Sequence, residues 1–217
     1  NHVRDSSSHN EHANLTLIAK NKLGYKNLIK LISKSQIVGK TTGIPVIETE
    51  WLAEHSDGLV ALSGGFRGHI GKAVLDTNHD LFLKRIKYFQ KIFKEDFILE
   101  ISRINRPQED LYNDYILSKA GELGLPVVAS NEVRFIDKED YEAHETRVCI
   151  QKGEVLSDAR RTRSYFEDQY FLSPEEMYEK FKDIPEVLSN AYELGKKCNL
   201  EIETGIYVLP DFKTPLN

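Results

Sequence analysis

Ala129-Ser130-Asn131-Glu132-Val133-Arg134-Phe135-Ile136-Asp137-Lys138-Glu139-Asp140-Tyr141-Glu142-Ala143 follows the apolar run Leu125-Pro126-Val127-Val128 and leads into His144-Glu145. The apolar run predicts a buried strand, and residues 138–151 have the spacing of a helix. Polar groups just past a strand's C-terminal end are where α/β barrels place their chemistry. Here a carboxylate, Glu132, and a permanent cation, Arg134, share that exit.

Reading outward, three more apolar runs predict strands at residues 15–19, 58–62 and 97–101. Helical periodicity predicts helices at 25–35, 48–54, 68–75, 79–93 and 108–123. Strands too apolar to face water, alternating with helices, imply a mostly parallel sheet covered by helices. After Gly153 the alternation stops, and 158–164 is a basic loop with Arg160, Arg161 and Arg163. Ser173-Pro174-Glu175-Glu176 has a helix start's capping serine, first-turn proline and glutamate three on. A last helix is expected at 185–198. Residues 1–13 read as a polar loop and 206–217, containing Pro210-Asp211-Phe212, as a linker. The opening, polar and without methionine, reads as the middle of an open reading frame, so a fragment is expected.

At 217 residues, 40% hydrophobic and 29% charged, the chain can bury a sizeable core. A net charge of −5 argues against a surface gripping nucleic acid throughout. No apolar run is long enough to span a bilayer. Cys149 and Cys198 form no CxxC pair and read as free thiols.

The four strand exits are the candidate sites: 12–15, 63–69, 100–106 and 131–134. None of the seven histidines forms an HxH or HExxH pair, so spacing gives little support for a metal. Ser63-Gly64-Gly65 with Gly68 and Gly71 lacks a phosphate-loop pattern and reads as a tight turn. Glu100 has no visible partner, and His144 reads as a packed histidine. The arginine loop reads as solvated, with DNA contact the sharper alternative.

Taken together, several segments resemble the PHP (polymerase and histidinol phosphatase) domain of bacterial replicative DNA polymerase III alpha subunits. They are Leu15-Thr-Leu-Ile-Ala-Lys-Asn, Gly24-Tyr25 to Ser33, Gly58-Leu-Val-Ala-Leu-Ser-Gly-Gly65, Asn131-Glu-Val-Arg-Phe135 with Ala143-His-Glu145, and Ile184-Pro185 with Asn190, Cys198 and Asn199. The resemblance covers about residues 14–212. It implies a distorted (β/α)7 barrel of the triose-phosphate-isomerase type, incomplete here at its N-terminal end, with the PHP domain at 14–205. The family's opening HxH pair would precede Asn1, and the polymerase palm with its Mg ions would follow Asn217.

By the same resemblance, four metal-ligand positions fall at Asn14, Gly65, Glu132 and Arg134, and each departs from a metal-binding pattern. A guanidinium stays protonated in proteins, so Arg134 is expected to repel a metal and to pair with Glu132 or Glu100. His12 is a weak candidate for a replacement ligand. The implied role is a metal-free, catalytically inactive scaffold in a cytoplasmic DNA-directed DNA polymerase. It would pack on the polymerase body, dock the proofreading exonuclease subunit and meet DNA only through the parent protein. No cofactor and no membrane partner are expected. The rival reading is an active metal-dependent phosphoesterase or pyrophosphatase. A barrel lacking its first strands is expected to aggregate when expressed alone.

Overall fold

β6 (Phe97–Ser102) is buried at all six positions, which requires covered faces and a neighbour on each edge. The computed structural model, which describes residues 2–4, 12–39 and 43–205, supplies both. β5 (Leu59–Leu62) and β7 (Val127–Ser130) flank β6 in parallel, and β3 (Thr16–Ala19) lies outside β5. The alternation of a pleated strand sends Ala61, Leu99, Ile101, Val127 and Ala129 to one face. Val60, Leu62, Ile98 and Val128 go to the other.

The first face packs on α3 (His69–Leu75), α4 (His79–Phe93) and α5 (Glu109–Leu123) through Ile70, Phe82, Ile86, Phe89 and Ile116. α1 (Lys22–Ile37) adds Leu31 to the same core. The second face takes Leu194 and Ala191 of α8 (Glu186–Lys197). Each large apolar side chain buried in this way contributes about 1.5–3 kcal/mol. α2 (Thr49–Glu54), α6 (Tyr141–Lys152) and α7 (Pro174–Phe181) complete the helices. The mixed α/β class is therefore the one the sequence implies.

Local chemistry sets the element ends. Asn21 caps α1 by accepting from the Gly24 amide at 3.0 Å. Gly24 itself is required by a close approach, since a Cβ there would lie 1.9 Å from the Gly58 carbonyl oxygen. At α7 the expected capping box forms: the Glu176 amide donates to Ser173 Oγ at 3.2 Å, and the Ser173 amide to Glu176 Oε2 at 2.8 Å.

One expectation needs correction. Residues 1–13 are not simply a polar loop, because β1 (His2–Arg4) and β2 (His12–Asn14) pair antiparallel within and beside them. β1 also pairs in parallel with β4 (Ile47–Glu48), giving a second sheet ordered β2-β1-β4. Burial of Val3 and Ala13, opposite each other in the ladder, favours this pairing over a solvated loop. The larger sheet is mostly parallel, as expected, with β3 the exception: it runs antiparallel to β5, with Thr16 opposite Leu62. Apolarity reports burial and says nothing of strand direction. The linker assigned to 206–217, with Pro210-Asp211-Phe212, lies outside the described residues.

Candidate functional site

The C-terminal ends of β5, β6 and β7 open on one side of the sheet, where ligands of α/β sheets are held. β5 exits through Gly64 and Gly65, at φ 78° and 56°. A Cβ on Gly64 would meet the Asn14 carbonyl oxygen at 2.1 Å, so this turn needs glycine for space as well as for its dihedral. Ser63 Oγ accepts from the Glu100 amide at 3.0 Å, and Tyr112 Oη donates to the Glu100 carbonyl at 2.8 Å. These bonds fix the Glu100 backbone and leave its carboxyl buried at the strand end. Burial pushes the Glu100 pKa up, and the charge of Glu132 adds to this, while the Ser130 hydroxyl and Gly64 amide oppose it.

The next turn is built around a second carboxylate. Glu109, at the start of α5, accepts from Ser102 Oγ at 2.9 Å and from the Ile104 amide at 2.7 Å. That closes the 102–109 turn and presents Arg106. Arg106 Nη2 pairs with Glu132 Oε2 at 2.8 Å, with the two side chains 5% and 17% exposed. The Arg106 guanidinium also sits 4.8 Å from the Phe66 ring centre and 5.7 Å from that of Phe166.

Glu132 has a φ of 45°, unusual for a residue with a side chain. Its surroundings enforce it. Fully buried Gln169 donates through Nε2 to the Glu132 carbonyl at 2.9 Å, accepts from the Phe166 amide at 3.0 Å, and takes the Arg134 amide on its own carbonyl at 2.7 Å. Asn131 Nδ2 donates to the Asp168 and Tyr170 carbonyls at 2.9 and 2.7 Å. Asn131 and Gln169 thus hold the 131–134 segment against the 166–170 loop.

Arg134 does not take the partner expected of it. Arg106 occupies Glu132, and among the described residues Arg134 makes no salt bridge with Glu132 or Glu100. Its guanidinium lies 5.5 Å from the Tyr165 ring centre, and its exposed side chain lines a cavity of about 750 Å³. Strand parity failed here because the left-handed Glu132 breaks the alternation. Arg106, 26 positions from Glu132, had no signal beyond lying in the loop after β6.

Of the positions singled out, Gly65, Glu100 and Glu132 gather at the strand ends. A Cβ on Gly65 would lie 3.9 Å from Glu100 Cγ, and the charge of Glu132 reaches Glu100. Asn14 and Arg134 line the adjoining cavity together with His2, His12, Arg67 and Lys72. Burial lowers the Arg67 pKa, with Arg106 and Arg134 adding to the effect and Glu132 opposing it. His12 packs edge-on against His2 at 5.1 Å. Among the described residues, no three His, Cys, Asp or Glu side chains converge on a point where one ion could sit.

The arginine loop is only partly solvated. Exposed Arg160 pairs with Asp158 at 2.9 Å, whereas Arg161 is drawn inward to Glu145 at 2.5 Å. His144 is packed, with Tyr165 edge-on at 4.6 Å and Phe135 at 5.5 Å, and burial lowers its pKa. Cys149 and Cys198 are free thiols. No described helix is long and apolar enough to cross a membrane.

The family pattern of the PHP domain matches residues 2–104, which hold the strands from β1 to β6. Along more than nine-tenths of its length the chain is similar to bacterial DNA polymerase III alpha subunits, as a PHP-domain segment of such a subunit would be. It is 46% identical over 200 residues to the DNA polymerase III subunit alpha of Vibrio cholerae, covering 92% of this chain and 17% of that protein. The subunit alpha of Escherichia coli K12 is 43% identical over 204 residues, 94% of this chain and 18% of its own length. That of Pasteurella multocida is 40% identical over 212 residues, 98% and 18% respectively. The chain therefore spans less than a fifth of these relatives.

Proposed function

We propose that this chain is part of a DNA-directed DNA polymerase of chromosome replication, in which its PHP domain is a metal-free scaffold. In this reading the domain forms part of a distorted (β/α)7 barrel, packs on the polymerase body and docks the proofreading exonuclease subunit. Nucleotidyl transfer, with its Mg ions, belongs to other parts of the parent protein. The parentage rests on identity of 40–46% spread over more than nine-tenths of the chain.

The scaffold role is supported by one observation above the rest. Where metal ligands would be wanted, Arg134 lines the cavity beside Asn14, Arg67 and Lys72, and Gly65 offers no donor side chain. A cation held about 4 Å from another unit charge is opposed by roughly 4 kcal/mol at an effective dielectric of 20, and a divalent ion by more. Glu132, the one carboxylate among the four positions, is already neutralised by Arg106. An Arg106–Glu132 pair would then brace the strand ends where a metal could otherwise do so.

The experiment is a phosphoesterase assay of the full-length protein carrying this chain, with Zn or Mn added. The scaffold reading predicts no hydrolysis of phosphate monoesters or pyrophosphate assignable to this domain. Activity that a chelator abolishes, and that Glu132→Gln removes, would establish the rival phosphoesterase instead. Co-purification of the exonuclease subunit tests the docking role separately.

A further inference from the structure

We propose that the groove between residues 136–139 and the 170–177 segment docks a separate protein, through a segment of that partner carrying large apolar side chains together with lysine or arginine. This goes beyond the scaffold reading and does not depend on it. Ile136 and Phe171 are each 71% exposed, yet neither sits on a loose tip. The Phe171 amide donates to the Ile136 carbonyl at 3.1 Å, and the Arg134 amide to the Gln169 carbonyl at 2.7 Å. Asn131 ties the same two strips of backbone together, and the Ser173–Glu176 capping box fixes the far end of the groove. The two side chains therefore stand beside a preformed space of about 900 Å³, whose lining includes Leu172, Pro174 and Met177. Large apolar groups clustered around one exposed hollow mark an interaction surface. A partner that meets them already ordered is spared the cost of fixing them.

The charge around the hollow selects the partner. Asp137, Glu139 and Glu176 bring three exposed carboxylates to the lining. The Tyr170 hydroxyl and the Ser173 amide donate to Glu176 and hold its pKa below the ordinary value, so it is ionised at neutral pH. Lys138, the one cation among the described lining residues, is turned to Asp168 at 3.4 Å. An acidic rim around apolar anchors steers basic segments in and disfavours acidic ones. Few anchors and a charged rim are also the anatomy of a separable complex, since permanent contacts are broader and more apolar.

The test uses the full-length protein carrying this chain as bait for a displayed library of random peptides, at low and moderate salt. The expected result is enrichment of sequences that combine leucine or aromatic residues with lysine or arginine and that weaken with salt. These should bind the double variant Ile136→Ser, Phe171→Ser at least about tenfold more weakly. Its thermal midpoint should not move, because both side chains are exposed. Glu139→Lys, which alters only the rim, should weaken the same peptides about threefold and serves where the double variant does not fold. Tyr192→Ser, 71% exposed on α8 and outside the groove lining, should bind as the wild type does. No enrichment, enrichment of acidic sequences, or equal binding by the wild type and the double variant overturns the proposal. Self-association that the double variant loses would assign the groove to a second copy and overturn it too. So would Phe171→Cys resisting a thiol reagent in the full-length protein, which would assign the groove to the rest of the parent chain.

Discussion

Replacing Arg106 with methionine should loosen the strand exits without emptying them. The variant keeps most of the aliphatic volume between Phe66 and Phe166 but strips Glu132 of its only ion-pair partner among the described residues. Leaving a fully buried charge unpaired costs about 3–5 kcal/mol. Glu132 is 17% exposed and retains some water, so about 2–3 kcal/mol is the better expectation, lost ring contacts of roughly 0.5–1 kcal/mol included. Glu132→Gln alone should cost about as much, because it leaves the Arg106 guanidinium, 5% exposed, without its counter-charge. The double variant should therefore fall short of the sum by about 1.5 kcal/mol.

Hydrogen-exchange mass spectrometry on the full-length protein reads this locally. Peptides spanning 130–136 and 163–171 should exchange about 30–140 times faster in Arg106→Met, since roughly 1.4 kcal/mol is tenfold in an opening equilibrium. Additive single effects, or less than a threefold change in those peptides, would refute the claim that this pair braces the site.

Two further outcomes test the fold and the buried carboxyl. Gly24→Ala places a methyl 1.9 Å from the Gly58 carbonyl and should destabilise by about 1–3 kcal/mol, seen as a lower thermal midpoint; an unchanged midpoint would contradict the close approach. Burial raises the folded-state pKa of Glu100 above its ordinary 4.5, so the folded state holds this proton more tightly than the unfolded one. That contribution is complete below the ordinary value and disappears as pH rises through the folded one. Wild type should accordingly lose stability relative to Glu100→Gln as pH rises above about 4.5, measured by urea unfolding at stepped pH, and a flat difference would refute it.

How much of this was legible depended on whether a feature was local. The helix at 79–93 and the capping box of α7 follow from spacing within one segment, and the structure has α4 at His79–Phe93 and both α7 cap bonds. The four strands of the larger sheet were legible for the same reason, as apolar runs, although β3 is only half-buried. The β1–β2 hairpin was not, because three-residue strands with one buried side chain each carry no measurable alternation. Nor was the direction of β3, which pairs antiparallel with β5, because composition carries no strand direction.

At the site, the residues flanking the strand ends were identifiable, but their pairing was not. Arg106 lies in the turn closed by Glu109, and only folding brings it against Glu132. Gln169, fully buried in an otherwise polar loop, gives no hint in sequence that it holds both Glu132 and Arg134. The basic lining of the adjoining cavity was not legible for the same reason: Arg67, Lys72 and Arg134 come from three separate segments.

The most direct test of the central claim is the metal content of the full-length protein, purified without chelator and dialysed against Zn and then Mn before elemental analysis. Charge at Arg134, the weak ligand Asn14 and the missing donor at Gly65 predict less than about one tenth of an ion per chain attributable to this domain, with no gain over Arg134→Gln. A stoichiometric ion that Glu132→Gln or Glu100→Gln displaces would contradict the account.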